Sequence, residues 1–164
     1  MKYMFIILFI IFIALAFWLG LGTKKELVLS SPFEGRVTLD GKPVANARVI
    51  QKLEPTKFDH ITQETKTDAD GKFRLPLAVT SSRFTATDLD MSYSATKQSI
   101  NLEINGKTYL AWFYAKTDSE LGSEIKAKDI KLENVDVLKL ECSLNSPEEY
   151  KGNYLGVCSI VDHF

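Results

Sequence analysis

The sequence predicts an all-β sandwich of about eight short strands behind one N-terminal transmembrane helix. Three observations carry this expectation. Beyond Leu29, apolar and polar residues alternate over short runs, and almost no stretch keeps the 3.6-residue period of an amphipathic helix. Between those runs stand Asp40-Gly41, Asp70-Gly71 and Asn105-Gly106, dipeptides that favour the positive φ of tight hairpin turns. Ahead of them, Tyr3 to Leu21 is a block of 19 residues without a charge, rich in Ile, Phe and Leu.

As a helix this block rises about 28 Å, close to the roughly 30 Å of a bilayer's hydrocarbon core. An uncleaved membrane anchor through residues 3–21 is the expectation. A cleaved signal peptide is the alternative, because Ala14 and Ala16 form an A-x-A-like site. Against cleavage, the apolar run continues through Phe17, Trp18, Leu19 and Leu21. The chain then divides into a segment over 1–22, a linker over 23–32 and a β domain over 33–164. Lys2 precedes the span and Lys24 and Lys25 follow it, so charge alone slightly favours the body staying inside.

The first expected hairpin joins Phe33–Leu39 to Val44–Leu53 through Asp40-Gly41, with Ala45, Ala47 and Val49 on one face. The second joins Ile61–Thr67 to Lys72–Leu77 through Asp70-Gly71, with Phe73, Leu75 and Leu77 alternating with Lys72 and Arg74. The third joins Ser99–Ile104 to Lys107–Lys116 through Asn105-Gly106. Lys107–Lys116 carries Tyr109 to Tyr114 with little polar interruption, the pattern of a strand covered on both faces and a candidate central strand. Val135–Leu144 and Tyr154–Val161 close the chain. Thr80 to Gln98 and Thr117 to Asn134 are polar, the second long enough for one helical turn. No repeat of solenoid or propeller period is present, and about eight strands in this length suit a single sandwich.

Of 164 residues, 20 are Lys or Arg and 21 are Asp or Glu, a formal net charge of −1. That balance removes the counterion-release basis of non-specific nucleic-acid binding. The two cysteines, Cys142 and Cys158, fall in the last two strand-like runs; oxidised, they would close a loop worth about 3 kcal/mol. Such a bond requires an oxidising compartment, which argues for export of the body. Reduced core thiols in a cytosolic domain are the alternative, and without C-x-x-C spacing the pair is a poor zinc or redox motif.

His60 and His163 are the only histidines, with no H-x-x-x-H or H-E-x-x-H around either, and no G-x-S-x-G elbow is present. Asp68-x-Asp70-Gly71 places two carboxylates before a glycine, as Ca²⁺ loops do. It lacks the further oxygen positions of an EF-hand and reads as a turn in which Asp70 and Gly71 take positive φ. No catalytic residue, metal or cofactor is therefore expected. The strip from Ser81 to Ser99 is the candidate protein-contact surface, because Arg83, Phe84, Asp88, Asp90, Met91 and Tyr93 mix aromatic and Arg anchors with small hydroxyl residues.

The succession Gly35-x-Val37, Asp40-Gly41-Lys42-Pro43-Val44, Ala47-x-Val49 and Thr67-Asp68-x-Asp70-Gly71-x-Phe73 resembles the opening of carboxypeptidase regulatory-like domains. It covers about 45 residues of the body. Past Leu77 the chain departs from that pattern, with a polar segment where a further short strand is usual. The opening Ser31-Pro32-Phe33-Glu34-Gly35-Arg36-Val37 behind an apolar segment is also similar to a group of small bacterial envelope proteins. These resemblances imply a seven- or eight-stranded transthyretin-like, Ig-like sandwich on the periplasmic side of the inner membrane. They imply a non-catalytic binding or accessory module of the envelope, with a protein partner. An immunity protein that neutralises an envelope-acting toxin is the alternative.

Overall fold

In the computed structural model, which describes residues 9, 24–56, 58–83, 95–117, 137–146, 148–151 and 154–161, the body is all-β. Its strands are β1 (Lys24–Ser30), β2 (Phe33–Leu39), β3 (Lys42–Pro43), β4 (Arg48–Pro55), β5 (Ile61–Lys66), β6 (Lys72–Leu75) and β7 (Ala78–Arg83). They continue as β8 (Thr96–Ile104), β9 (Lys107–Lys116), β10 (Leu138–Ser143), β11 (Glu149–Lys151), β12 (Tyr154–Gly156) and β13 (Cys158–Val161). The five beyond the eight expected are β1, where the sequence reads as linker, β3 directly after the Asp40-Gly41 turn, β7 leading into the polar strip, β11 after β10, and the second strand gained by division of Tyr154–Val161 into β12 and β13. Apart from Phe9, which is helical, the expected anchor lies outside the described residues. Among the described residues no helix is long and apolar enough to cross a membrane.

Alternation in β2 puts Phe33, Gly35 and Val37 on a buried face and Glu34, Arg36 and Thr38 on the other. β2 is the middle of a five-stranded sheet. β10 runs parallel along one edge, itself paired to β13, while β6 and then β3 run antiparallel along the other edge. The second sheet has six strands in the order β11-β12-β9-β8-β4-β5. The two sheets share one core: Phe33, Val37, Phe73, Leu75, Leu138 and Leu140 from the first meet Val49, Ile100, Leu102 and Trp112 from the second. Trp112 is fully buried, its ring edge-on to Phe33 with centroids 5.0 Å apart. β9, the candidate central strand, is one of the two central strands of its sheet, flanked by β12 and β8. A register shift opposite Ile100 and Asn101 leaves Ala111 unpaired with β8, so the adjacent Ala111 and Trp112 are both buried.

Only the third expected hairpin is present as drawn: Asn105 (φ 50°) and Gly106 (φ 78°) join β8 to β9. Asp40 (φ 51°) and Gly41 (φ 71°) also form a tight turn, but it returns into the two-residue β3, and the chain then crosses to β4 in the other sheet. Asn46 at φ 59° interrupts the expected strand, leaving Ala45 exposed while Ala47 and Val49 are buried. The Asp70-Gly71 segment does not make a hairpin either. β5 pairs with β4 and β6 with β2, so the turn carries the chain from one sheet to the other, and of the two residues only Gly71 has positive φ. Leu77 lies beyond β6 and is exposed. The expected strand Tyr154–Val161 divides at Val157 into β12 and β13, which belong to different sheets.

Lys24–Ser30, read as linker, is a strand of the domain, paired antiparallel to β7. Two glutamines fix it to the six-stranded sheet: Gln51 Nε2 donates to Ser30 Oγ at 2.8 Å and Gln98 Nε2 to the Leu29 carbonyl at 2.6 Å. Leu29, Leu53 and Ala78 form a small second core beneath it.

A β-branched residue at Gly41 is expected to cost about 1–2 kcal/mol, the strain of a positive φ for a residue with a Cβ. Nothing lies within 4 Å of where that Cβ would sit, so no clash is added. Urea unfolding of Gly41→Val measures this; an unchanged midpoint would contradict the turn.

Candidate functional site

Most of the strip that the sequence singles out lies outside the described residues: Phe84, Asp88, Asp90, Met91 and Tyr93 are among those not placed. Arg83 ends β7 with its backbone opposite Lys24. His163 also lies outside them, and His60 is exposed just before β5. The cysteines are brought together. Cys142 on β10 and Cys158 on β13 are directly opposed, their Cα atoms 4.0 Å apart, and form a fully buried disulfide.

Where the chain crosses from β5 to β6, a groove of about 490 Å³ opens between the sheets' edges, lined by Glu34, Gly35, Lys66, Asp68, Lys72, Phe73 and Arg74. Its floor follows from sequence: Gly35 has no side chain, and a Cβ there would overlap the buried ring of Phe73. Its walls follow from alternation, since burying Phe73 and Leu75 turns Lys72 and Arg74 outward. Lys66 faces them from the end of β5 and is exposed.

Of the two carboxylates in the groove, Asp68 holds its own turn, Oδ1 accepting the Asp70 N–H at 2.9 Å and the Lys72 N–H at 2.8 Å. This is the turn reading of Asp68-x-Asp70-Gly71, with the carboxylate engaged by backbone. Glu34 pairs with Arg74 across the strands, Oε1 to Nε at 3.6 Å. The next register position sets Arg36 directly opposite Lys72. Arg36 Nε is buried without a hydrogen-bond partner, and Glu141, level with Arg36 on β10, makes no ion pair with it among the described residues.

The other sheet shows what a satisfied cation looks like in this protein. Arg48 reaches Glu64 on β5 through two nitrogens and Glu103 on β8 through Nη1 at 2.9 Å. Its pKa is raised by the hydrogen bond to Glu64 first and that to Glu103 second. Arg36 and Lys72 have no comparable arrangement. With Asp68 held by backbone N–H groups and Glu34 beside Arg74, the remaining charges lining the groove are the cations Lys66 and Lys72.

Sequence reading missed this corner. Lys72 and Arg74 were visible as the polar side of an alternating strand, but only strand register reveals that Arg36 lies beside them and that Lys66 faces them.

A family model described as Domain of unknown function (DUF6795) matches residues 33–147. The match begins at the first residue of β2 and ends before β11, so it includes the groove and Cys142 but not β1 or Cys158. No curated protein and no solved structure matches the chain.

Proposed function

The chain belongs to the DUF6795 family, and from that premise we propose that it acts by binding, as a non-catalytic accessory module of the bacterial envelope. In this reading residues 3–21 anchor it in the inner membrane and the β domain stands in the periplasm. The observation that carries the reading is the Cys142–Cys158 disulfide, since such bonds persist in oxidising compartments and are rare where glutathione and thioredoxin keep thiols reduced. The uncharged run ahead of β1 supplies the means of export.

The finer fold in this reading is a transthyretin-like sandwich. The Asp40-Gly41 turn, the buried Ala47 and the Thr67-Asp68 turn occur in the order that such domains show. Thr67 supports it locally, its Oγ1 accepting the Ala47 N–H at 2.8 Å and donating to the Val44 carbonyl at 2.7 Å.

The test is recovery of partners by the tagged full chain from detergent-solubilised envelope of its own organism, identified by mass spectrometry. The expected result is a standing envelope complex. One tight, stoichiometric partner with toxic enzymatic or pore-forming activity would replace this reading with that of an immunity protein.

A further inference from the structure

We propose that the cationic corner formed by Lys72 and Arg74, with Arg36 beside them and Lys66 across the groove, is a binding site for a phosphate-type oxyanion, free or borne by a lipid headgroup. Like charges directly opposite on neighbouring strands destabilise a sheet, and Arg36 and Lys72 hold that relation. A buried donor without an acceptor adds to the cost, and Arg36 Nε is such a donor. The exposed Arg48 on the other sheet is matched by two glutamates, so the protein does balance its cross-strand cations elsewhere. At the groove the balance is incomplete. Asp68 is drawn into its turn, and Arg74 meets Glu34 at 3.6 Å, beyond hydrogen-bond distance.

An oxyanion with several acceptor oxygens in the groove would offset the charge of Lys66, Lys72 and Arg74, which line it, and so the repulsion between Lys72 and Arg36. A guanidinium can bind two of its oxygens side by side, and an ammonium can contribute a point charge to a third. The groove's volume of about 490 Å³ is ample for a phosphate and for a headgroup. This inference deepens the reading of the chain as a binding module by naming a ligand class, but it rests on the groove and not on the disulfide.

The experiment follows backbone amide resonances of the full chain in maltoside micelles. It titrates inorganic phosphate in one arm and phosphatidylglycerol mixed into the micelles in the other. Saturable shifts at Lys72, Phe73 and Arg74 are expected, with Asn105 and Gly106 unmoved. The combined Lys72→Ala and Arg74→Ala variant should bind at least about tenfold more weakly, the loss expected for charge-assisted hydrogen bonds, with no fall in melting midpoint, because both side chains are exposed and Lys72 opposes Arg36. Saturation by inorganic phosphate identifies a free-phosphate site, and saturation only by phosphatidylglycerol identifies a headgroup site. No saturable shift in either arm, shifts reproduced by sodium chloride at equal ionic strength, or shifts undiminished in the variant would overturn the proposal. A failed titration of protein whose cysteines are oxidised would remove the anion site and leave the binding-module reading standing.

Discussion

Replacing Trp112 with alanine is expected to destabilise the domain by about 3–5 kcal/mol, the cost of deleting a large aromatic from a packed core and leaving a cavity. Trp112 is the largest fully buried side chain described, stands opposite Ile100 in its own sheet and meets Phe33 of the facing sheet. Its removal therefore weakens contact between the sheets and not only within one. Urea unfolding of the full chain in neutral detergent, followed by far-ultraviolet circular dichroism, measures the loss. Trp112→Phe should recover a large part of it. A loss below about 1 kcal/mol, a size typical of an ordinary surface change, would contradict a core shared by the two sheets.

Reduction of Cys142–Cys158 is expected to have the next largest effect. The bond closes a loop with a sequence separation of 16, for which chain entropy gives about 3 kcal/mol. For a domain of this size that corresponds to a fall in melting temperature on the order of 10 °C. Both residues are fully buried, so reductant must be applied to unfolded protein before refolding. Cys142→Ser should melt at the same lowered temperature with or without reductant. Equal melting of the oxidised and reduced wild-type protein would remove the bond from the list of things that hold the fold.

The two cysteines also show what the sequence made legible. Their place in two strand-like runs near the C-terminus was enough to suggest a pairing, and the strands do lie side by side. Alternation likewise identifies β2, and a nearly uninterrupted apolar run β9, with the bounds found in the structure, and the positive-φ dipeptides locate three real turns. What alternation cannot state is which strand a given strand pairs with. A two-residue turn reverses the chain, and reversal within one sheet looks the same in sequence as reversal from one sheet into the other. Asp40-Gly41 and Asp70-Gly71 were therefore read as simple hairpins, although each leads, directly or through β3, from one sheet to the other. The parallel pairing of β10 with β2 joins segments about a hundred residues apart, and no local pattern encodes it. β1 was missed for a related reason: what holds it is two buried glutamines on distant strands and a backbone partner in β7. The cationic groove depends wholly on such long-range register. The aromatic and Arg-containing strip after β7 was a compositional inference, and its central residues lie outside those described.

The central claim is that this is a disulfide-stapled binding domain working in an oxidising compartment, and the redox state of the cysteines in living cells tests it most directly. Cells of the native organism are quenched in acid and the protein is denatured with a thiol-blocking reagent present. The full chain is then weighed by mass spectrometry before and after reduction and a second blocking. The expected result is no label before reduction and two labels after it. Two labels before reduction would place Cys142 and Cys158 as thiols in the cell and contradict the periplasmic assignment.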